Sequence, residues 1–420
     1  MSSHATPRPI GTVRFAQHAP ITVFPILGAE LAPGGIPIRR LAERVGGTPF
    51  YVYDRNAIDA RVTALRTALP QALQLHYAIK ANPMPAVVQH LARITDGLDV
   101  ASAREMAVAL DAGVVPDRVS FAGPGKSADE IRRAVAAGIT VTVESLLQLE
   151  QSVQAGAALG VQPRVAVRVN PAFELKSSGM KMGGGPKPFG IDEARVPEVL
   201  DRVRESGVHL SGLHIFAGSQ NLRAESIVEA QVKTYELALS LLREWGRAVD
   251  WLNLGGGFGV PYFPGEAELD LAPIGANLDV LCARASADLG APLVIELGRY
   301  LVAHAGLYVC RVIDRKESCG HVFLVTDGGL HHHLAASGNF GQVLRKNYPV
   351  AVANRIGEPP EEVQSVVGPL CTPLDILTDR MKLAHAEPGD LIAVFQSGAY
   401  GLTASPTAFL GHPAPVEVLV

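Results

Sequence analysis

A chain of 420 residues, 48% hydrophobic and 19% charged, can bury a large core and is long enough for two domains, one of them with room for a barrel of about 250 residues. A formal net charge of −4 offers no basic field to nucleic acid or to an anionic membrane, so a small or negatively polarised partner reached through a local pocket is expected. The four cysteines, Cys282, Cys310, Cys319 and Cys371, show no close metal-type pairing and are too few for a disulfide framework, which fits a reducing cytoplasm.

Residues 1–20 lack a basic start followed by an apolar run, and no stretch of 18 apolar residues occurs, so neither export nor a membrane span is predicted. Two short β-rich runs, Gly11-Thr-Val-Arg-Phe15 and Ile21-Thr-Val-Phe-Pro-Ile26, precede a Pro33-Gly-Gly35 turn. They predict a sheet fragment whose partners lie elsewhere, because an isolated pair of short strands is marginal. From about residue 45, short apolar runs alternate with alanine-rich stretches of helical period. Eight runs end near Lys80, Asp99 to Ser102, Gly123, Ser145, Asn170, Phe216, Gly257 and Glu296. Ser102 and Ser127 open two of the intervening helix candidates, with acids in the first turn. Eight βα units predict an α/β fold, a (β/α)8 TIM barrel over 45–296, with polar, charged and glycine residues at the C-terminal strand ends where such barrels place their chemistry.

Between the fifth and sixth strands, residues 173–190 are too long and glycine-rich for an ordinary connection. They read as a disordered insertion or as a mobile loop near the active face. After Arg299 the strand period returns at 307–314, 321–326, 363–367, 390–395 and 416–420. With residues 1–44, residues 297–420 would form a mostly β domain that the chain leaves for the barrel and then re-enters.

The run Leu73-Gln-Leu-His-Tyr-Ala-Ile-Lys80-Ala-Asn-Pro83 delivers a lysine at a strand end and stops at a proline. A lysine at the mouth of a buried strand is costly to desolvate as an ammonium and so becomes available as a nucleophilic amine. The other reading of the same residue is a strand-end lysine snorkelling to water. Lys80, the Gly255-Gly256-Gly257 turn and Glu296-Leu-Gly-Arg299 together suggest a pyridoxal phosphate site. The lysine would hold the cofactor, glycine N–H groups would let a phosphate approach the backbone, and a carboxylate beside the pyridine nitrogen would keep it protonated.

The chain resembles the fold-type III pyridoxal phosphate decarboxylases, the diaminopimelate, ornithine and arginine decarboxylases that share an alanine racemase-like barrel. The motifs are Tyr77-Ala-Ile-Lys-Ala-Asn-Pro83, Leu98-Asp-Val-Ala-Ser102, Gly212-Leu-His-Ile-Phe-Ala-Gly-Ser-Gln220, Gly255-Gly-Gly-Phe-Gly259, Glu296-Leu-Gly-Arg299, Gly368-Pro-Leu-Cys371 and Ser397-Gly-Ala-Tyr-Gly401. The resemblance implies pyridoxal 5'-phosphate carried covalently by Lys80, with Glu296 at its pyridine nitrogen and Asp99, Phe216, Ser219, Gly255, Gly256, Gly257, Gly298, Arg299 and Tyr400 around it. It implies substrate contacts from Arg299, Arg345, Tyr348, Thr372 and Tyr400. It also implies a homodimer in which Cys371 enters the neighbour's site to return a proton to Cα, although a lone cysteine read by itself is a small buried hydrophobe.

Three departures qualify the resemblance. Where diaminopimelate decarboxylases place a second histidine that stacks on the cofactor, this chain has Phe216, which keeps stacking and loses a hydrogen-bond donor. His214 shares that strand face and reads as a packed strand histidine or a partial substitute. Those enzymes follow the cysteine with a glutamate that reads the distal end of the substrate; here Thr372-Pro-Leu374 follow. The run Asp327-Gly-Gly-Leu-His-His-His-Leu334 invites a metal, but three adjacent histidines along a strand or loop cannot all face one ion, so no metal is expected. With Met180-Lys-Met-Gly-Gly-Gly185 and Phe409-Leu-Gly-His412, this run resembles a narrower branch, the decarboxylases of aminoacyl groups on an acyl carrier protein and relatives encoded with exosortase and exopolysaccharide systems. The expected activity is therefore decarboxylation of an amino acid or a carrier-bound aminoacyl group, with 173–190 and His331 to His333 lining the entrance for the carrier arm. The alternatives are diaminopimelate decarboxylase itself and a non-catalytic pyridoxal phosphate-binding protein.

Overall fold

Eight parallel strands close on themselves in a computed structural model that describes residues 11–15, 17–174, 180, 181, 183–342 and 344–420. In chain order the barrel strands are Gln74–Ala78, Gly97–Val100, Val119–Phe121, Thr140–Val143, Arg164–Asn170, His209–Ile215, Trp251–Gly256 and Leu293–Leu297. Each pairs with the next, and the eighth returns to the first through Ile295 opposite Leu75. They stand at the eight expected places. Strands of a closed barrel are covered by helices outside and by each other's side chains inside, so they read as continuous apolar runs such as Thr140-Val-Thr-Val143, buried throughout.

Local chemistry sets the helix starts. Ser102 caps Ala103–Asp111 by accepting the Glu105 N–H at 3.2 Å, and Ser127 forms a capping box with Glu130 at the head of Ala128–Ala137. Gly138, at φ 76°, ends that second helix in the left-handed conformation that favours glycine. Of the 173–190 insertion, residues 175–179 and 182 lie outside the described residues. Met180–Lys181 pair antiparallel with Gly218–Ser219, and Ile191–Asp192 rejoin the barrel sheet beside the fifth strand.

The chain divides into two compact units, Val62–Val260 with Glu268–Tyr300, and Met1–Arg61 with Pro261–Ala267 and Leu301–Val420. The second is mostly β. Its long central strand, Gly306–Ser318, pairs antiparallel with Phe50–Tyr53, Leu391–Val394 and His321–Thr326. His321–Thr326 then runs parallel to Glu362–Val367, which pairs with Ile376–Leu383. Phe24, Leu31, Leu41, Phe50, Leu307 and Phe395 are fully or almost fully buried in its core.

The strand Phe50–Tyr53 was not foreseen here. It is followed by the helix Arg55–Ala68, and the boundary between the two units falls between Arg61 and Val62. Of the two N-terminal runs expected as strands, Val13 and Ile21 form a single bridge and Ile26–Leu27 a two-residue strand. Pro20 and Pro25 lack the N–H that a ladder needs. The runs still deliver Val13, Ile21 and Phe24 to the core. Among the described residues, no helix is long and apolar enough to cross a membrane.

Candidate active site

The C-terminal strand ends of the barrel surround a cavity of about 320 Å³, lined among others by Lys80, Asp99, Lys126, Arg168, Phe216 and Glu296. The first strand stops at Ala78, and Ile79–Ala81 form one tight helical turn before Pro83. The Asn82 N–H closes that turn on the Ile79 carbonyl at 2.9 Å, and the buried Tyr77 hydroxyl donates to the Asn82 carbonyl at 2.8 Å. Lys80 is thereby carried past the strand end, with its Nζ 6.0 Å from the centre of the Phe216 ring. Its side chain is exposed, so protein atoms do not supply the desolvation that the sequence suggests for this amine.

Glu296 ends the eighth strand and is buried. Its Oε2 stands 3.2 Å from His214 Nε2 and accepts from Asn253 Nδ2 at 3.4 Å, while the Gly255 N–H fixes Asn253 through Oδ1 at 2.7 Å. Burial alone would raise the carboxyl's pKa, but His214 first, then Lys80 and Arg168, hold it well below the ordinary carboxylate range. His214 is therefore more than a packed strand histidine: it holds the one acid expected to face a cofactor nitrogen. The signal was in the alternation, since His214 and Phe216 share a strand face.

Beside them, Asp99 Oδ1 accepts from the Ser120 hydroxyl and lies 3.6 Å from His76 Nδ1. Its Oδ2 is buried and finds no hydrogen-bond partner among the described residues. A third acid, Glu144, ties the wall together. It accepts from the Gly123 N–H at 2.6 Å, Arg168 at 3.0 Å and the Gly190 N–H at 3.0 Å. Arg168 in turn lies 5.1 Å from the centre of the Phe189 ring, which brings the end of the insertion to the cavity. Lys126 donates to the carbonyls of Gly123 and Thr142 at 2.6 and 2.8 Å. Burial pulls its pKa down to about 8 against the opposing charge of Glu144.

Lys126, Glu144, Arg168 and Phe189 were missed as site residues. The available signal was a charge inside an apolar strand run, as in Val-Ala-Val-Arg168-Val and Val-Thr-Val-Glu144, because such a charge must find a partner.

Of the other expected residues, Ser219 lies in the short pairing with Met180, and Arg299 opens the helix Arg299–Val302. A Cβ on Gly256 would meet the Glu296 carbonyl oxygen at 1.9 Å, and one on Gly257, at φ 83°, the Gly218 carbonyl oxygen at 2.1 Å. The triplet is thus demanded by close backbone approach, whatever else it binds. A Cβ on Gly298 would come within 2.9 Å of the Ala81 Cβ, beside the Lys80 turn.

The remaining predicted residues belong to the β unit. Cys371 is exposed, and the Thr372 hydroxyl accepts the Leu374 N–H at 3.3 Å. Arg345 donates to the Ile376 carbonyl at 2.6 Å, Tyr348 packs on Tyr262 with ring centres 4.7 Å apart, and Tyr400 adopts φ 53°. His331, His332 and His333 are buried, which corrects the expectation that they line an entrance. His332 donates through Nε2 to the Pro413 carbonyl at 2.9 Å and accepts the Tyr308 hydroxyl at Nδ1. His333 accepts the Ala336 N–H at Nδ1 and donates through Nε2 to Ser397 Oγ.

A buried carboxylate, an exposed lysine, an aromatic ring and a carboxylate oxygen with no partner among the described residues line one cavity and suit a charged pyridine ring with polar substituents. The cavity's volume lies within the range of about 300–1,000 Å³ typical of small-molecule sites. Comparison with known proteins agrees. Residues 55–303 match the family "Pyridoxal-dependent decarboxylase, pyridoxal binding domain". The L-glutamyl-[BtrI acyl-carrier protein] decarboxylase of Niallia circulans is 40% identical over 379 residues, 89% of this chain and 88% of that protein. Diaminopimelate decarboxylase of Aquifex aeolicus is 31% identical over 394 residues, 93% and 90% of the two chains. The crystal structure of diaminopimelate decarboxylase from Helicobacter pylori complexed with L-lysine superposes with a TM-score of 0.80 at 28% identity, covering 91% of this chain and 94% of that one. Cavity, fold and relatives converge: the chain belongs to the pyridoxal-dependent decarboxylases, carboxy-lyases that work through pyridoxal 5'-phosphate.

Proposed function

We propose that this enzyme decarboxylates an aminoacyl group carried on an acyl carrier protein, with a glutamyl group as the first candidate. The observation that carries the reading is the 40% identity, across nearly all of both chains, to a decarboxylase whose name specifies a carrier-bound glutamyl substrate. Thr372-Pro-Leu374 support it, because no carboxylate directly follows Cys371 to meet a free distal ammonium, and burying such a charge unpaired costs several kcal/mol.

When bound, pyridoxal phosphate supplies the electron sink that accepts the pair left on Cα as carbon dioxide departs. The chain's residues do the rest. Lys80 holds the cofactor's aldehyde carbon, Phe216 stacks on the ring, and Glu296 keeps a proton on the pyridine nitrogen. His214 and Asn253 keep Glu296 ionised and oriented for that task. Asp99 contributes its unpaired Oδ2, and Ser219, the glycine triplet, Gly298, Arg299 and Tyr400 take the phosphate and the acid end of the substrate. Arg345, Tyr348 and Thr372 serve the substrate side. In a homodimer, Cys371 serves the neighbouring protomer's cavity and returns the proton to Cα. The four free thiols accord with a cytoplasmic setting, and a link to exopolysaccharide or exosortase systems rests on sequence resemblance.

The test is a carbon dioxide release assay on glutamyl-charged carrier protein, free diaminopimelate, free ornithine and free glutamate, with Lys80→Ala as the blank. The carrier-bound group should be turned over at least about tenfold more efficiently than any free amino acid, equivalent to about 1.4 kcal/mol in the transition state. Diaminopimelate turnover at about 10⁴ M⁻¹s⁻¹ or more would instead make the enzyme a diaminopimelate decarboxylase. No release from any substrate by a cofactor-loaded protein would point to the non-catalytic alternative.

A further inference from the structure

We infer that Asp375 is a positioning residue for Cys371: a buried carboxylate that fixes the loop whose exposed tip carries the proton donor. The inference rests on the proton-returning role proposed for Cys371.

Asp375 is 2% exposed, while Cys371, four residues earlier, is exposed. The carboxylate uses both oxygens on two different segments. Oδ1 accepts the Leu330 N–H at 2.6 Å, and Oδ2 accepts the Leu370 N–H, adjacent to Cys371, at 2.9 Å. Backbone bonds close the loop around it, from the Gly368 N–H to the Asp375 carbonyl at 3.0 Å and from the Asp375 N–H to the Thr372 carbonyl at 3.2 Å. Two glycines make the space. A Cβ on Gly329 would lie 2.1 Å, and one on Gly368 2.3 Å, from a carboxylate oxygen of Asp375.

The far anchor is rigid, because Leu330 directly precedes the buried His331–His333 segment. There His332 is bonded to Tyr308 and Pro413, and His333 to Ser397. The cysteine loop is thus referenced to a fixed part of the β unit through one side chain. A carboxylate suits the task because it accepts at both oxygens, whereas an amide accepts at one and would turn a donor toward the other N–H. Proton return to carbon depends steeply on placement, and a displacement of about 1 Å can cost about 10²-fold.

The experiment is a cycle of wild type, Asp375→Asn, Cys371→Ala and the double variant. It uses cofactor-loaded enzyme and glutamyl-charged carrier protein, or diaminopimelate if that proves the substrate. Alongside it, the rate of iodoacetamide alkylation at Cys371 is followed by peptide mass in the cofactor-free chain. Asp375→Asn should lower kcat by about 10- to 10²-fold with KM nearly unchanged, alter the alkylation rate at Cys371, and cost nothing further in the Cys371→Ala background. If Asp375→Asn does not fold, judged by near-UV circular dichroism, Asp375→Glu is read in the same cycle, since it keeps both acceptors but displaces the loop.

Wild-type kcat and alkylation in the folded Asp375 variant, beside a slow Cys371→Ala, would overturn the positioning role alone. A loss that multiplies in full in the double variant would do the same, because Asp375 would then act independently of the thiol. A fully active Cys371→Ala would overturn the role of Cys371 and the inference with it.

Discussion

Histidines in the two units meet opposite surroundings, and the contrast shows how each unit uses its polar residues. In the barrel, His214 lies 3.2 Å from a buried carboxylate that it helps keep ionised, so charge is retained inside the cavity. In the β unit, His331, His332 and His333 are buried, with His332 bonded to the Tyr308 hydroxyl and the Pro413 carbonyl and His333 to Ser397, and burial drives their pKa values down to about 4, 4 and 3. Both are buried imidazoles. What differs is the neighbour: a carboxylate in one case, uncharged groups in the other. Around these histidines the barrel keeps a buried charge, whereas the β unit holds a hydrogen-bonded cluster.

The same contrast governs what could be read from the sequence. All eight barrel strands were legible, because a strand covered on both faces leaves a largely apolar run, and serine-capped helices follow the second, third and fourth of them. Lys80, Asp99, Phe216 and Glu296 were legible as strand-end residues, and they line one cavity. The partners that tune them were not. Glu144 follows the fourth strand and Arg168 lies in the fifth, and a pairing across 24 residues leaves no mark in local periodicity. The β unit was read less well. Val350–Val352 is only three residues long, and Ile376–Leu383 carries Thr378, Asp379, Arg380 and Lys382 among its apolar residues, so neither shows a clean period. The histidine run was placed at an entrance because a carrier arm would need one, and only the tertiary arrangement reveals the Tyr308 hydroxyl, Pro413 carbonyl and Ser397 hydroxyl that pair His332 and His333 inside the unit.

The largest effect is expected from removing the charge that defines the barrel's half of the comparison. Glu296→Gln leaves the buried His214 without the carboxylate it faces at 3.2 Å. Breaking a buried pair by deleting one partner costs about 3–5 kcal/mol. Urea denaturation of the cofactor-free chain at pH 7 should show a loss of that order, and turnover should collapse because nothing keeps the pyridine nitrogen protonated. A variant as stable and active as the parent would show that the Glu296–His214 pair is incidental.

Acid should act on the other half. His331, His332 and His333 have folded pKa values below their ordinary 6.5, so between those values the unfolded chain is protonated and the folded chain is not. Stability is therefore fully present above about pH 6.5 and is lost as pH falls toward 4, with about 1.4 kcal/mol at stake for each pH unit that separates a group's folded and unfolded pKa values. His18, lowered by burial, adds to the effect, whereas the exposed His385, raised by Glu362 and Glu387, opposes it weakly. Urea midpoints measured from pH 7 to pH 4.5 should drop by an amount worth several kcal/mol. A flat profile would mean that the network takes up protons without strain.

The smallest effect separates fold from chemistry within the barrel. Ser127 caps the helix Ala128–Ala137, and its partner Glu130 also accepts the Ala103 N–H at 3.1 Å, so one capping box links the starts of two helices. Both helices follow strands that bring residues to the cavity, yet Ser127 itself does not line it. Replacing a capping serine by alanine costs about 1 kcal/mol, because a helix N–H loses its acceptor. Glu130 would keep its bonds to the backbone N–H groups of Ser127 and Ala103, so the strand ends should stay in place. Ser127→Ala should therefore lower the urea midpoint by a corresponding small step and leave kcat within about twofold of the parent, well under the tenfold that about 1.4 kcal/mol would bring. A larger fall in kcat at unchanged stability would show that the cap positions the cavity wall as well as starting a helix.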